Sequence, residues 1–428
     1  MSPSTRSRRR QTVARHGQLR SPHPVSQILK IVAVAVVVVV VAGAGVVGYN
    51  TWSLLSTLSS NAVELEGQTA APPGVGAIEG SFNILLVGTD ACEAEYAQYF
   101  PGRCTGSEAS EELNDVNILI HVSDNPRRVT AVSLPRDLMI PIPSCTSESG
   151  STSSAMSKQM LNTAYSYGGL SCVAKTVAEL TGENIDYAAK LTWGGVIEIT
   201  NAIGGVEVCV ENGIYDESNT GLSLDPGTYT LQGVEALEFL RTRHGVGDGS
   251  DLARISNQQQ YMSSLVRKIV SEGTLSNVAT LYSLATTIVE NVTLSTSLSN
   301  PLTLVQLALT MKGVSYDDIV FVQYPTTADP EDSDRVVPNT SAASILFEAI
   351  DANDQLILTG DTSANGGTVS TGTVETPTDD TATDSTTTST ESATPSETTT
   401  TSSSDTVELP SSISGQTAAE QTCSVGNG

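Results

Sequence analysis

The sequence predicts a mixed α/β fold, in which a central sheet is flanked by helices, preceded by one transmembrane helix. Short runs rich in aliphatic and β-branched residues, FNILLVG, VNILIHVS and RVTAVSL, are typical of neighbouring strands in a buried sheet. Helical patterns follow in KQMLNTAYSYGG, in SCVAKTVAELTG, which Gly182 ends, and in GGVIEITNAIGG, which leads into the strand VEVCV. Residues 81–358 hold these patterns and suffice for one large core.

The transmembrane helix is predicted from residues 31–52, an apolar and uncharged stretch of 22 residues. As a helix it would be about 33 Å long, which is enough to cross a bilayer. A secretory signal peptide is the competing interpretation, but its apolar region usually spans only about 7–15 residues. Seven basic residues precede the stretch without any acid. The positive-inside rule therefore predicts a single-pass protein of the cell membrane, with residues 1–30 cytoplasmic and the rest outside.

Three further segments surround the folded part. Residues 53–80 end in APPGVGAIEG and are predicted to be a juxtamembrane linker because of their Pro and Gly content. Residues 359–408 are rich in Thr, Ser and Asp and lack aromatic side chains, which predicts a disordered stalk. Residues 409–428 regain apolar character, and we expect this short segment to dock on the domain through Cys423.

All six cysteines follow the predicted anchor, and an even number outside the cell indicates disulfides. No C-x-x-C pair occurs, which argues against a zinc site. Six cysteines allow 15 pairings, so the sequence leaves the connectivity open. Our prediction is Cys92–Cys104 and Cys145–Cys172, with Cys209–Cys423 left over.

The chain is strongly acidic, with 47 acidic and 21 basic residues and a formal charge of −26. We expect Arg103, Arg127, Lys190 and Lys312 to be solvated surface charges. The stretch FLRTRHGVGDGSDLARISNQQQ differs, because it concentrates Arg241, Arg243 and Arg254. Like charges at close range repel unless a ligand or an acid separates them. Guanidinium groups match phosphate oxygens in bidentate geometry, so the cluster predicts a phosphate site.

A helix is predicted to begin near Asp251, capped by Ser250. Its apolar stripe would be Leu252, Ile255, Met262, Val266 and Ile269. Asp251, Arg254 and Gln258 are spaced by three and four residues and share a different face. Arg241 and Arg243 would point the same way if the backbone between them is extended.

Two carboxylates lie at predicted strand ends upstream, Asp90 in LLVGTD and Asp115 in LNDVNIL. A third strand ends in SLPRD, which carries Arg136 after the rigid Pro135. Two carboxylates beside an arginine cluster are what a Mg²⁺ ion bound to a phosphate needs. The sequence therefore predicts a Mg²⁺ site, which Mn²⁺ would also fit, at Asp90 and Asp115.

The order of these fragments resembles the LytR–CpsA–Psr family of bacterial cell-wall ligases. NILLVGTD, NDVNILIHV, VSLPRDL, NTAYSYGG, IGGVEV and LRTRHGVGDGSDLARISNQQQ carry the resemblance from Phe82 to Lys268, with a looser continuation to about Leu358. The resemblance implies an α/β sheet with an apolar tunnel for a polyprenyl chain. It also implies transfer of a glycopolymer from a polyprenyl-pyrophosphate carrier to a peptidoglycan hydroxyl, which leaves a phosphodiester link.

The resemblance also implies roles for single residues. Asp90 and Asp115 would hold Mg²⁺, and the pyrophosphate would be bound by Arg136, Arg241, Arg243, Arg254 and Gln258. The catalytic residues would be Arg136, Arg241 and Asp251, the last as a general base or as an orienter of the arginines. The sequence departs from the family motif at Leu113, where the family has an arginine, and at Met160, where it has a lysine; Lys158 lies two residues away.

Other functions remain open at this stage. A binding module would retain the lipid carrier without transfer, a hydrolase would pass the phosphate to water, and a related transferase would use a protein acceptor. Regulation by nucleic-acid binding is disfavoured because the first 30 residues, seven of them basic, are too few to fold. We expect those residues to meet anionic lipid headgroups or to fix the topology. The oligomeric state is not predicted.

Overall fold

The computed structural model describes residues 62–65, 78–105, 107–147, 149–271, 278–299, 301–360, 365–374 and 406–427. The predicted tail and anchor, residues 1–52, lie outside these ranges, and so does most of the linker. None of the helices within the described ranges has both the length and the apolar composition that a membrane crossing requires.

The strands are short and run through the whole described chain. In order they are β1 (Phe82–Thr89), β2 (Asn114–Val122), β3 (Val129–Leu134), β4 (Met139–Ile142), β5 (Met156–Met160), β6 (Tyr187–Leu191), β7 (Val206–Val210), β8 (Ile214–Asp216), β9 (Leu222–Leu224), β10 (Gly227–Leu231), β11 (Val292–Leu294), β12 (Ile319–Gln323), β13 (Thr326–Ala328), β14 (Val336–Pro338), β15 (Gln355–Ile357), β16 (Thr368–Thr373), β17 (Thr406–Glu408), β18 (Gly415–Thr417) and β19 (Glu420–Ser424).

Helices separate many of these strands, as expected for a mixed α/β fold. They are α1 (Ala164–Thr181), α2 (Trp193–Ile203), α3 (Gly233–Arg241), α4 (Asp251–Ser271), α5 (Val278–Asn291), α6 (Pro301–Met311) and α7 (Thr340–Asp351).

The main sheet has seven strands in the order β11-β6-β1-β2-β3-β12-β18. The three predicted neighbours β1, β2 and β3 lie together at its centre and pair antiparallel. β6 is parallel to β1, and β12 is parallel to β3, so the sheet is mixed. A mixed central sheet flanked by helices confirms the predicted fold class.

The two faces of this sheet have different neighbours because side chains alternate along each strand. Leu85, Leu119 and Val132 point to a face that packs against α1 and α7 in a closed core. Ile84 and Ile120 point to the opposite face, where they line a cavity between the sheet and helices α4, α5 and α6. One face of the sheet therefore packs in the closed core, and the opposite face forms one wall of the cavity.

Most predicted helices are confirmed, with one correction. Gly182 ends α1 with φ 82°, a left-handed conformation that glycine adopts without steric cost. Ser250 accepts a hydrogen bond from the backbone N–H of Ala253 and so caps α4. The predicted helix KQMLNTAYSYGG is wrong in its first three residues, because Lys158 to Met160 pair with β4 as part of β5. Its last two residues, Gly168 and Gly169, have non-helical backbone angles.

The C-terminal segment pairs with the folded domain. β18 forms the edge of the main sheet beside β12, and β19 lies in a second sheet of order β10-β7-β19-β16. The predicted stalk, residues 359–408, is thus wrong at both ends, since β16 and β17 fall within it. Backbone hydrogen bonds to β19 and β15 order these two strands despite their polar side chains. Residues 375–405 lie outside the described residues.

The structure contains all three predicted disulfides. Cys92–Cys104 and Cys145–Cys172 close short loops, separated by 12 and 27 residues. Cys209–Cys423 joins β7 to β19 across 214 residues. This last bond fixes the C-terminal segment to the domain and confirms the predicted docking through Cys423.

Helix α4 differs from its predicted pattern. Asn257 and Gln260 lie off the predicted apolar stripe and yet are buried, as is Gln259, which lies on the stripe. The C-terminal segment covers them: Gln260 donates to the Thr422 carbonyl at 3.2 Å, and Gln416 donates to the Gln259 carbonyl at 3.0 Å. The stripe residues Met262 and Val266 are only partly buried, because they face a cavity.

Candidate functional site

The candidate site lies at one edge of the central sheet. β1 ends beside the start of β2, where Thr89 pairs with Asn114, and β3 ends at the same edge because it is antiparallel to β2. This arrangement places Asp90, Asp115 and Arg136 at the same edge. The topology therefore brings together three residues that the sequence placed at three separate strand ends.

Arg136 is at the centre of the charged cluster. Its Nη1 lies 3.0 Å from Asp115 Oδ1, and its Nε lies 3.6 Å from both Asp251 Oδ1 and Asp137 Oδ2. Burial by itself would lower the pKa of the Arg136 guanidinium, but the three carboxylates outweigh it and raise the pKa above its ordinary value. Arg136 is therefore held as a fixed cation.

Helix α4 supplies the next two predicted residues. Arg254 is buried, and its Nη2 contacts Asp251 Oδ1 at 2.6 Å and the Asp115 carbonyl at 2.9 Å. Gln258, one turn further, donates to the Leu240 carbonyl at 2.8 Å. Asp251 thus lies between two arginines, Arg136 and Arg254, and fixes their relative position.

Arg241 and Arg243 reach the site in a different way from the one predicted. Arg241 is the last residue of α3 and not part of an extended segment. Its guanidinium lies 3.9 Å from the ring centroid of Trp193 and 5.1 Å from that of Phe100. Such cation–π contacts orient a guanidinium while leaving its donors in the ring plane free for a ligand. Arg243, two residues on, still lines the same cavity as Arg241.

The electrostatic surroundings of Arg241 place it within the cluster. Burial lowers the pKa of its guanidinium, Asp115 and Asp90 oppose this shift, and Arg254 adds to it. A bound anion would add to the stabilisation that Asp115 and Asp90 give this buried cation.

Several buried polar atoms at the site lack a hydrogen-bond partner in the described part of the chain. Within the described ranges, neither Arg254 Nε nor Thr89 Oγ1 makes a hydrogen bond, and both residues line the cavity. A buried polar atom without a partner costs about 1–3 kcal/mol. These atoms are therefore positioned to be satisfied by a bound ligand.

The cavity behind the cluster is apolar. It has a volume of about 610 Å³, and Asp115, Arg136 and Arg254 lie along its wall. Much of its remaining wall is aliphatic and includes Ile84, Leu86, Ile118, Ile120, Leu304 and Leu307. A second cavity of about 230 Å³ follows α4, and Ile118, Ile120, Gln258 and Met262 line both. The site thus joins a charged cluster to a hydrophobic space suited to a long apolar chain.

Asp90 is more deeply engaged than the sequence indicated. It accepts hydrogen bonds from the Leu113 N–H at 2.7 Å and from Arg103 Nε at 2.8 Å. The expectation that Arg103 is a solvated surface charge is therefore wrong. It is also wrong for Lys190, which is largely buried above the ring of Tyr165, and for Arg127, which is 21% exposed and donates to the Gly80 and Ile78 carbonyls. Within the described residues, no group of three or more acidic, His or Cys side chains is arranged to hold a metal.

Two further basic residues, which are not among the predicted site residues, form ion pairs with acidic side chains. Arg335, which precedes β14, contacts Asp137 Oδ1 at 2.9 Å and so borders Arg136 through a shared carboxylate. Lys158 contacts Asp329 at 2.9 Å and also Glu331. These ion pairs hold Lys158 beside Asp329 and Glu331, in the connection between β13 and β14. Lys158 therefore does not take the place of the lysine that the family has at Met160.

The loop that carries Arg243 is held by the C-terminal segment. The Gly247 N–H donates to the Val425 carbonyl at 3.0 Å, and the Asn427 N–H donates to the Gly245 carbonyl at 3.3 Å. On the other side, the Asp248 N–H donates to the Asn365 carbonyl at 3.1 Å. The glycine-rich turn is therefore fixed from two sides.

Comparison with known proteins gives a family match. The model of the LytR_cpsA_psr family matches residues 54–352. The cell wall biosynthesis protein LcpA of Corynebacterium glutamicum is 31% identical over 265 residues, which cover 58% of this chain and 51% of that protein. The polyisoprenyl-teichoic acid–peptidoglycan teichoic acid transferase TagT of Bacillus subtilis is 27% identical over 217 residues, covering 50% and 59%. The chain thus spans about half the length of the curated relatives it matches.

Solved structures are similar as well. The structure titled TagT bound to LIIa-WTA aligns over 68% of this chain and 98% of that chain, with 21% identity and a TM-score of 0.49. A LytR-Csp2A-Psr enzyme from Actinomyces oris aligns over 66% and 96%, with 23% identity and a TM-score of 0.44.

Proposed function

Because this chain belongs to the LytR–CpsA–Psr family, we propose that it transfers a glycopolymer from a polyprenyl-pyrophosphate carrier to a peptidoglycan hydroxyl and forms a phosphodiester link. The observation that carries the proposal is the arginine cluster on the wall of an otherwise apolar cavity. A lipid pyrophosphate has the same two parts, an anionic head and a long hydrocarbon chain. The name of the transferase relative adds support.

In the proposed complex, the pyrophosphate lies against Arg136, Arg241, Arg243 and Arg254, and the polyprenyl chain fills the cavity. Gln258 lies where the charged and apolar parts of the site meet. Arginine pairs with phosphate oxygens in bidentate geometry, and low exposure strengthens each contact. The bound head group would satisfy Arg254 Nε, which has no hydrogen-bond partner among the described residues.

The proposed reaction is an in-line displacement at the sugar-side phosphorus. The acceptor hydroxyl oxygen forms a new P–O bond, and the bond from this phosphorus to the bridging oxygen breaks. Polyprenyl phosphate leaves and takes up the proton of the hydroxyl. The arginines stabilise the charge that develops on the phosphoryl and leaving oxygens, which is the main contribution a protein makes to phosphoryl transfer.

Asp90 and Asp115 are the residues that would hold Mg²⁺ or Mn²⁺ in this proposal. Carboxylate oxygens are hard ligands, and Mg²⁺ in phosphate sites commonly uses one or two carboxylates plus phosphate oxygens and water. Asp115 fits this requirement, because it is partly exposed on the cavity wall. Asp90 would have to exchange its contact with Arg103 or with the Leu113 N–H for the ion. When bound, the ion would neutralise charge on the pyrophosphate.

Asp251 is assigned the orienting role and not that of the general base. It is buried, and its Oδ1 lies 2.6 Å from Arg254 Nη2 and 3.6 Å from Arg136 Nε. Both contacts are ion pairs that depend on the negative charge of this carboxylate. A carboxylate between two guanidinium groups fixes their spacing, which positions them for phosphate oxygens.

The proposed location is the outer side of the cell membrane, with residues 31–52 as the anchor and residues 1–30 in the cytoplasm. The three disulfides among the described residues support an oxidising compartment. The membrane is the source of the lipid-linked donor, and peptidoglycan is the acceptor.

A transfer assay tests the proposed function. The purified chain is incubated with Mg²⁺, a short polyprenyl-pyrophosphate glycan and peptidoglycan oligomers, and the products are identified by mass spectrometry. We expect polyprenyl phosphate and a phosphodiester-linked conjugate. Polyprenyl phosphate with a free phosphorylated glycan would instead identify a hydrolase, and bound but unchanged donor would identify a binding module.

Filling the cavity is expected to weaken binding of the lipid but not of the head group. Met262 lines both parts of the cavity, so Met262→Trp would occupy space that the chain needs. We expect affinity for a long polyprenyl pyrophosphate to fall about tenfold or more, since each buried CH₂ contributes about 0.8 kcal/mol. Affinity for inorganic pyrophosphate should stay unchanged, as measured by calorimetry.

The matched control is Ile345→Trp, which adds the same side chain at an exposed position of α7. It should leave both affinities unchanged. Equal loss of lipid and pyrophosphate binding in Met262→Trp would argue against the cavity as the lipid site.

A further inference from the structure

Arg103 is not among the residues proposed to bind the phosphate. We infer that Arg103 is a positioning residue of the phosphate site, which neutralises Asp90 before metal binds and replaces the arginine that the family motif has at Leu113. This inference rests on the proposed function, because it concerns the same phosphate site. It is carried by the contacts of Arg103, by the backbone around Leu113 and by the loop that holds Arg103.

The contact between Arg103 and Asp90 is direct and shielded from solvent. Nε lies 2.8 Å from Asp90 Oδ2, and Nη2 donates to the Glu111 carbonyl at 2.5 Å. The Arg103 side chain is 19% exposed and that of Asp90 is 8% exposed. A charge-assisted hydrogen bond at this depth is stronger than a surface ion pair, because water screens it less.

The backbone at Leu113 borders the same carboxylate. The Leu113 N–H donates to Asp90 Oδ1 at 2.7 Å, and the Asp90 N–H donates to the Leu113 carbonyl at 3.2 Å. An arginine side chain at position 113 would therefore start beside Asp90, whereas leucine brings no charge. Arg103, ten residues earlier in the chain, reaches this carboxylate from a separate loop.

The loop that carries Arg103 is firmly docked. The disulfide Cys92–Cys104 closes it immediately after Arg103. Glu93 accepts hydrogen bonds from the Gly194 N–H at 2.8 Å and from Thr192 Oγ1 at 2.9 Å, at the start of α2. Phe100 of the same loop packs 4.4 Å from the ring of Trp193, on which Arg241 lies. One loop thus contacts both a predicted metal ligand and a predicted phosphate ligand.

This arrangement gives two opposite expectations. Without a ligand, Arg103 and a divalent cation both require the negative charge of Asp90, so Arg103 weakens metal binding. With metal and pyrophosphate present, its guanidinium adds a cation beside the phosphate oxygens, so Arg103 strengthens phosphate binding. A residue that only supported the loop would affect both affinities in the same direction.

The test measures binding by the purified full chain without any transfer reaction. Calorimetry gives the affinity for Mn²⁺ alone, and then the affinity for inorganic pyrophosphate at saturating Mn²⁺. For Arg103→Ala we expect Mn²⁺ to bind about tenfold more tightly and pyrophosphate about tenfold more weakly, the size expected for one hydrogen bond to a charged group. Arg103→Lys, which keeps the charge, should lie between the variant and the wild type in both measurements.

Arg128→Ala is the matched control. Arg128 is also partly buried, at 13% exposure, and it contacts Asp318 at 3.5 Å, but it precedes β3 and lies at the sheet edge away from the site. This variant should change neither affinity, even if it lowers the melting temperature.

Three outcomes would overturn the inference. Unchanged affinities in Arg103→Ala, with wild-type binding intact, would show that Arg103 has no role at the site. Parallel loss of both affinities would show a structural role only. A wild-type protein that binds neither Mn²⁺ nor pyrophosphate would count against the proposed function itself. The wild-type measurement separates this outcome from the first two, in which the wild type binds both.

Discussion

Replacement of Arg136 by alanine is expected to lower the rate of glycopolymer transfer by about a hundredfold to a thousandfold, the effect of removing one preorganised donor from a site of developing charge. The structure gives a second reason for a large effect. Arg136 lies among Asp115, Asp137 and Asp251, so its loss leaves three carboxylates without their shared cation. Their charge would then repel the pyrophosphate that the site has to bind.

The rate is measured by the appearance of conjugate in the transfer assay, and folding is checked by thermal unfolding of each variant. Arg127→Ala is the control, because Arg127 has similar exposure, 21% against 23%, and donates to main-chain carbonyls of Gly80 and Ile78. This control should retain its rate within about twofold. Retention of more than a tenth of the wild-type rate in Arg136→Ala would remove this residue from the proposed catalytic set.

Loss of the Cys209–Cys423 disulfide is expected to give the largest change in stability among the three disulfides. In the chain-entropy account, the stabilisation grows with the logarithm of the closed loop. A separation of 214 residues corresponds to about 5 kcal/mol, whereas the 12-residue separation of Cys92–Cys104 corresponds to about 3 kcal/mol. The variant in which Cys209 and Cys423 are both serine should therefore unfold at a lower urea concentration than the variant in which Cys92 and Cys104 are both serine.

Urea unfolding of both paired serine variants beside the wild type measures this difference. The expected gap between the variants is about 2 kcal/mol, with Cys92→Ser/Cys104→Ser as the matched comparison. The Cys209 and Cys423 variant should also lose protection from hydrogen exchange at Gly247, whose N–H donates to the Val425 carbonyl. Equal midpoints with unchanged exchange would mean that the C-terminal segment stays docked through its strand pairing alone.

The C-terminal segment connects the stability of the domain to the geometry of the site. The C-terminal segment covers the buried amides of α4 and fixes the turn between Arg243 and Asp251. The family model ends at residue 352, so these contacts come from outside the matched region. The glycine-rich turn between Arg243 and Asp251 is therefore fixed in part by residues that the family match does not include.

Much of the local structure could be predicted because local patterns determine it. The aliphatic runs FNILLVG and VNILIHVS reflect strands whose two faces both meet apolar side chains, and both strands lie at the centre of the main sheet. The caps at Ser250 and Gly182 depend on hydrogen bonds and backbone angles within one turn, and both are present. Short-range signals of this kind need no knowledge of the rest of the chain.

The errors arose where a distant segment decided the environment of a residue. Arg103 and Lys190 have no local pattern that marks burial, yet each is covered by parts of the chain remote in sequence. The polar residues of β16 gave no strand signal, because backbone pairing with β19 orders them. The stripe at Met262 indicated a packed core, whereas the surrounding helices leave a cavity there.

The sequence by itself determined the mixed α/β class, the central strands and the charged residues predicted for the site, because aliphatic runs, helix caps and charge clusters are properties of short segments. Only the tertiary structure decided how those charges are partnered. Asp251 lies between two arginines, Asp90 is occupied by Arg103, and Arg241 rests on Trp193. The physical reason is that pairing energies depend on distance and burial in space, and neither is fixed by spacing along the chain.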